Sequence, residues 1–374
     1  MNSISDHLSS RRLTVNTAAK NAGLSVERFQ AVASGSEATL SEMRGIAKAL
    51  RVPLSTLVDD APAEPIKVLF RQTLGQREFK VSTSVDVISE QIRDTLIIAE
   101  GLPKNTSWLD LFRGIKPTLE AAEGFAELFR KAFGQLDDQE PFDHLPRVAH
   151  ELGIYLLYCR DSSVEGVSAI VAERAIILLG PRNFKPRMLF TIAHEVGHLV
   201  AHHDKRDGGY AMLDREADFN GIPKSSNREE EKFADAFASS LVLPRHGVLV
   251  AVKAIREQLK ATGPLGDIEI LWLAHLFNVS FEVAARRCEQ LQLLPPRGAR
   301  ALYQRLMDDF TNPERRAEEL GIPKRAEIEM DVSPSLLLAA VQKVRSGDLS
   351  IGRAAELLNV PVSKLFVANT ESAV

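Results

Sequence analysis

The chain has 374 residues, a formal net charge of −4, 45% hydrophobic and 26% charged residues. These values fit a globular protein of two or three domains and exclude a fibre, a disordered chain and a surface built wholly for polyanions. The opening MNSISDHLSSRR has no apolar core and no run of about 18 apolar residues follows, so a cytoplasmic protein with no membrane partner is expected.

The first elements are short. Residues 11–20, 26–33 and 40–50 read as helices, with Gly23-Leu24-Ser25 as turn and cap and VPLSTL at 52–57 closing the packet. The small Ala18-Ala19 pair lets two helices cross closely, as helix-turn-helix units require. The packet resembles the Xre/Cro-repressor-like helix-turn-helix domain, most of all in SEMRGIAKALRVPLSTLV. It departs from that pattern in lacking a Gln near Val15-Asn16 and a Glu before Gly35. The resemblance implies DNA contact through residues 1–60, with Arg28 and Gln30 on the recognition helix as base-reading groups. Charge is nearly balanced there, which argues against strong phosphate-driven affinity; the alternative is a packet that binds protein or forms a homodimer.

APAEP at 61–65 reads as a linker, 66–70 as a short strand, and 85–133 as amphipathic helices whose Trp108 and phenylalanines pack a core. From Pro141 the pattern changes to a helix at 142–152 and β-rich runs at 153–158, 164–172 and 175–179, a small sheet. Cys159 and Cys288 stand far apart without CxxC spacing, which fits buried thiols in a reducing compartment.

PRMLFTIAHEVGHLVAHH at 186–203 is the centre of the sequence. On a helix His194 and His198, at i and i+4, project toward one point, where a metal would sit. Leu189, Ile192, Val196, Leu199 and Val200 form the opposite, core-facing side. Glu195 lies slightly round from His194, close enough to take a proton from a water without ligating the ion, which is the arrangement of a zinc hydrolase.

Residues 204–224 read as a polar loop, and Ser226-Asn227-Arg228-Glu229 as a capping box that starts a second helix. There Glu231 and Asp235 again stand at i and i+4, beside the small Ala234 and Ala238. Glu231 is assigned as third ligand of a Zn²⁺ site, and Asp235 as acceptor for the outer ring N–H of a ligand histidine. Glu229 and Glu230 compete for the ligand role, but acidic residues in a first turn are favoured by the helix dipole alone. His202 is read as a solvent or substrate-loop residue, and Tyr155, Tyr158, Tyr210 and His150 are candidates for stabilising an oxyanion.

FTIAHEVGHLVAHH followed by E-x-x-A-D-x-F-A-x-x-L-x-x-P resembles the ImmA/IrrE family of zinc metallopeptidases over residues 140–294, with LWLAHLFNVSFEVAARRCEQLQLL as its helical tail. The resemblance implies a zincin-like core, His194, His198 and Glu231 as ligands, Glu195 as general base, and a protein substrate of the helix-turn-helix repressor class. Asp235 stands where many relatives carry Asn. An extended substrate is expected against a strand from 164–179, the run that leads into the metal helix.

Past the break at LPPRG, residues 334–344 read as a helix and LSIGRAAELLNVPVSKLF as two short helices across a turn at Asn359-Val360, similar to a second helix-turn-helix packet. The chain thus divides into residues 1–60, 61–139, 140–294 and 295–374, an α+β, mostly helical protein. The expected function is a zinc endopeptidase in transcriptional regulation; the rival is a DNA-binding regulator whose peptidase fold serves as sensor or scaffold.

Overall fold

The computed structural model describes residues 13–36, 38–50, 83–137, 139–202, 210–215 and 228–371, with the isolated positions 4, 8, 57 and 66. The expected linker at 61–65, most of the strand at 66–70 and the start of the capping box at 226–227 lie outside them.

Three N-terminal helices, α1 (Val15–Ala22), α2 (Val26–Ala33) and α3 (Leu40–Leu50), enclose a core of Ala18, Ala19, Phe29, Val32, Ile46 and Leu50. Thr14 caps α1 by accepting from Thr17 N–H, and Gly23 ends it at a φ of 71°, a left-handed value natural to glycine. Ser25 caps α2 by accepting from Arg28 N–H at 3.1 Å.

The remaining described residues build around a four-stranded mixed sheet in the order β1-β3-β2-β4, with β1 at Tyr155–Tyr158, β2 at Val164–Val171, β3 at Arg174–Leu179 and β4 at Tyr210–Arg215. Alternation sends Ala175, Ile177 and Leu179 of β3 to one face, and Ile176 and Leu178 to the other, and both faces are covered. That is why β3 reads as an unbroken apolar run. The β2–β3 hairpin turns through Ala172 and Glu173, both at positive φ (51° and 59°). A two-residue turn of this kind normally carries Asn-Gly, so the sequence lacks its usual signal here.

Two sequence expectations are corrected. β4 lies within the stretch read as a polar loop; it is the last strand in the described sheet, and its ladder to β2 supplies what its own short pattern does not advertise. Moreover β2 and β3 are both interior, so residues 164–179 offer no free edge to a substrate. The β1 edge is also taken: Ser333 N–H donates to Leu156 O at 3.0 Å, and Leu156 N–H donates to Ser333 Oγ at 2.8 Å.

One face of the sheet carries the long helix α7 (Lys185–His202) and its partner α8 (Arg228–Val242). Between the N-terminal packet and the sheet come α4 (Thr83–Ile98), a 3₁₀ turn at Ser107–Phe112, α5 (Ala122–Phe129) and α6 (Leu145–Glu151), the last beginning later than the expected 142. Phe125 meets Phe233 edge-on at 5.4 Å and Phe129 meets Phe237 at 6.2 Å, so α5 buttresses α8. Arg130, fully buried just after α5, donates to Leu241 O at 2.8 Å, Asp137 O at 2.6 Å and Glu140 O at 2.7 Å. After α9 (Arg245–Leu259) and α10 (Asp267–Leu276), α11 (Phe281–Gln290) brings a second buried arginine to the same helix end: Arg287 Nε donates to Leu243 O at 2.9 Å. Leu241 O in the last turn of α8 and Leu243 O just past it thereby accept from cations, the sign the helix dipole favours.

The other sheet face is covered by α4 together with α14 (Pro334–Arg345), α15 (Ile351–Leu358) and α16 (Val362–Glu371), after α12 (Gly298–Phe310) and α13 (Pro313–Glu319) have packed on the α7 side. Asp94 of α4, wholly buried, meets Arg160 Nη1 at 2.7 Å, and Arg160 also donates to Glu356 O and Leu357 O at the end of α15. Residues 83–137 and 295–371 therefore share cores with the stretch at 140–294. Lys364 is paired with Asp331.

Among the described residues no single helix is long and apolar enough to cross a membrane. Cys159 and Cys288 are both buried, and burial pushes their thiols up to about 11 and about 12. At pH 8 only about one Cys159 in 10³ is thiolate. The native protein is expected to leave both thiols unreacted with a disulfide reagent over hours, and denatured protein to react at two thiols within minutes; rapid native reaction would contradict this burial.

Candidate metal centre

Helix α7 is buried on both sides: Leu189, Ile192, Val196 and Leu199 face the core, and Glu195 and His198 are also wholly inaccessible. It can carry polar groups inward because α8 crosses it closely. At Gly197 an added Cβ would lie 3.1 Å from Ala234 Cα and 3.1 Å from Phe237 Cδ1, so a glycine opposite an alanine sets the spacing of the two helices. That approach brings Glu231, on the first turn of α8, to the histidine pair.

The structure brings His194, His198 and Glu231 together, with one ligand atom of each within 4.8 Å of the others. The two Nε2 atoms are 3.0 Å apart, and they stand 3.5 and 3.8 Å from the Glu231 carboxylate oxygens. Tetrahedral bonds of about 2.0–2.2 Å place ligand atoms about 3.3–3.6 Å apart, so the three groups need only small adjustments to hold zinc. Glu231 Oε1 is buried and has no hydrogen-bond partner among the described residues, an anionic atom left for a cation. Glu229 is exposed and Glu230 part-buried, whereas Glu231 is buried at the site.

Protonation states suit this role. Asp235 Oδ1 lies 3.0 Å from His194 Nδ1; a carboxylate can only accept, so Nδ1 carries a proton and Nε2 is the ring nitrogen turned to the centre. The Asp235 side chain is 58% exposed, so the orienting carboxylate stands at the rim of the site. Burial holds the His198 imidazolium down at about 4, against the pull of Glu231, so that ring is neutral at pH 7.

Glu195 sits on the sheet side of α7, its carboxylate against Gly166 of β2. Sequence reasoning missed Gly166, since a lone glycine in a strand reads only as a bend. The oxyanion candidates are engaged elsewhere. Tyr155 faces the sheet side away from α7, Tyr158 OH donates to Met330 O at 2.8 Å, and His150 Nδ1 lies 3.0 Å from Ser333 Oγ. The side chains of Tyr210 and His202 lie outside the described residues.

In the N-terminal packet, Arg28 makes a fork to Glu42, with Nε at 2.7 Å and Nη2 at 2.9 Å from its two oxygens, while Gln30 is exposed. Hydrogen bonds from Arg28 and Thr39 hold the Glu42 carboxyl down at about 2, so the pair is charged on both sides at neutral pH.

No curated protein matches the chain. Residues 149–289, which hold β1 to β4, α7, α8 and all four groups His194, Glu195, His198 and Glu231, match the family Peptidase_M78, described as the IrrE N-terminal-like domain; the match supports a metallopeptidase-type, zincin-like core.

Proposed function

We propose that the protein is a zinc-dependent endopeptidase acting in transcriptional regulation, by single-site cleavage of a separate DNA-binding repressor in the cytoplasm. The observation that carries the reading is the convergence of His194, His198 and Glu231, with Asp235 fixing the tautomer of one ligand. Two imidazoles and one carboxylate are a donor set suited to zinc with a position left for water. A bound zinc supplies Lewis acidity to a water and to the scissile carbonyl. Glu195 accepts the proton of the attacking water and delivers it to the leaving amine.

Since β2 and β3 are interior, the substrate backbone pairs along an edge of the sheet other than 164–179. A peptide must be extended to add there, so a folded repressor is cut at a linker or a locally opened loop. Docking through residues 1–60, or through the helices at 334–367, raises the local concentration of such a substrate. Arg28, already forked to Glu42, reads a base only by giving up that pair, which favours protein contact over base readout for this packet.

Newly formed protein termini should be compared in cells carrying the wild-type chain and Glu195→Gln. One repressor-derived terminus is expected in the wild type, with the repressor left full length and its target genes silent in the variant. Normal induction in the variant, with an intact repressor, would remove proteolysis from the output and leave the scaffold reading.

A further inference from the structure

We infer that Gly166, and the β-bulge that carries it, form the seat that fixes the Glu195 carboxylate, so that Gly166 is a positioning residue. Its role in turnover rests on the peptidase reading above; the contact itself does not.

In the β2–β4 ladder Val164 pairs with Arg215 and Gly166 pairs with Asp214, so Glu165 is an extra residue on β2. A bulge re-aims side chains, and here two successive residues both meet α7. Glu165 accepts from Arg187 Nε at 2.7 Å and Nη2 at 3.0 Å, while Gly166 faces Glu195, two turns further along the same helix. Arg182 Nη2 adds a contact to Glu165 at 3.4 Å, and Gly180 N–H donates to Glu165 O at 2.9 Å. A Cβ on Gly180 would fall on Val164 O, so the chain leaving β3 closes against the bulge as well. The bulge is thus tied to the helix whose side chain it seats.

Gly166 is not required by its backbone conformation, since its φ lies outside the left-handed region. It is required for space. An added Cβ would fall on Glu195 Oε1, 2.9 Å from Glu195 Cδ and 2.8 Å from Thr191 Cγ2. The carboxylate therefore rests against a bare Cα, wholly buried, in a slot that any larger residue would fill.

The test is a double-mutant cycle in the full-length zinc-loaded chain, in a Thr191→Ser background that removes the methyl clash and keeps a hydroxyl for Arg187 O. Gly166→Ala is expected to lower Tm by several degrees when Glu195 is present, and by much less beside Glu195→Ala or the shorter Glu195→Asp. Zinc should stay near one per chain in Gly166→Ala, while the new termini found in wild-type cells fall at least about tenfold, as in Glu195→Gln. An equal loss of Tm with and without the Glu195 carboxylate would overturn the seat, because Gly166 would then serve helix–sheet packing alone. If Gly166→Ala does not accumulate, recovery of folded Gly166→Ala/Glu195→Ala supports the seat, and failure of that chain as well overturns it. Absence of new termini even in wild type would count against the peptidase reading, and the Tm cycle would still decide the contact.

Discussion

Replacing His194 or Glu231 by alanine is expected to reduce bound zinc from about one per chain to near zero, whereas Glu195→Gln keeps the metal and lowers turnover by about 10²–10⁴. The contrast follows from the geometry. Two Nε2 atoms at 3.0 Å and a carboxylate at 3.5 and 3.8 Å converge on one point, while the Glu195 carboxylate rests on the sheet against Gly166. Loss of one of three protein ligands leaves too few for a tight site; loss of the proton acceptor leaves coordination intact. Asp235→Ala should fall between, weakening metal affinity about 10–100-fold, because His194 keeps its Nε2 but loses the partner that fixes its ring. Elemental analysis after dialysis against a weak chelator reads all four proteins. Retention of stoichiometric zinc by Glu231→Ala would move the third ligand to another acid, Glu230 first.

Arg130→Met is expected to lower stability by on the order of 3–5 kcal/mol, among the largest losses available to a single substitution in this chain. The guanidinium is fully buried and donates to three backbone carbonyls, Leu241 O on α8 and Asp137 O and Glu140 O in the turn after α5. Methionine fills much of the volume but leaves Leu241 O without this donor in a buried setting and unties Asp137 O and Glu140 O, which lie nearer the surface. Denaturant unfolding of the zinc-free protein measures the loss without a contribution from bound metal. A change below about 1 kcal/mol would mean that water replaces the guanidinium, and that Arg130 does not fasten the end of α8.

Much of the centre was legible because helical periodicity is a local property. His194 and His198 at i and i+4, and Glu231 and Asp235 at the same spacing beside Ala234, set the two pairs facing each other from spacing alone. The strands were legible as apolar runs at 153–158, 164–172 and 175–179, and the observed ones fall within a residue or two of those ranges. Strand order was not, because a run of apolar residues does not say which edge it meets; β4 and the interior places of β2 and β3 are set by pairing across the chain. Nothing in the sequence marks Arg130 and Arg287 for burial, which depends on the distant carbonyls of Leu241 and Leu243 at the end of α8. Gly166 was silent for a similar reason: its significance is the Glu195 carboxylate opposite, contributed by another element.

The sheet face opposite α7 has a consequence for how the protein is made. Val85, Ile88 and Ile92 from the first third of the chain, Ile176 and Leu178 from its middle, and Leu336, Ala354 and Leu358 from near its end fill one core. A nascent chain that has just emitted the metal helix cannot yet close this core, since its last contributors are still unsynthesised. The sheet that seats Glu195 therefore matures only after residues 336–358 have been made, through contacts between residues more than two hundred positions apart, a slow class of folding event. Early release from the ribosome after the family-matched stretch would yield a chain with all four site residues and an uncovered apolar sheet. Residues 336–358 therefore complete the covering of this face after the four site residues have already been made.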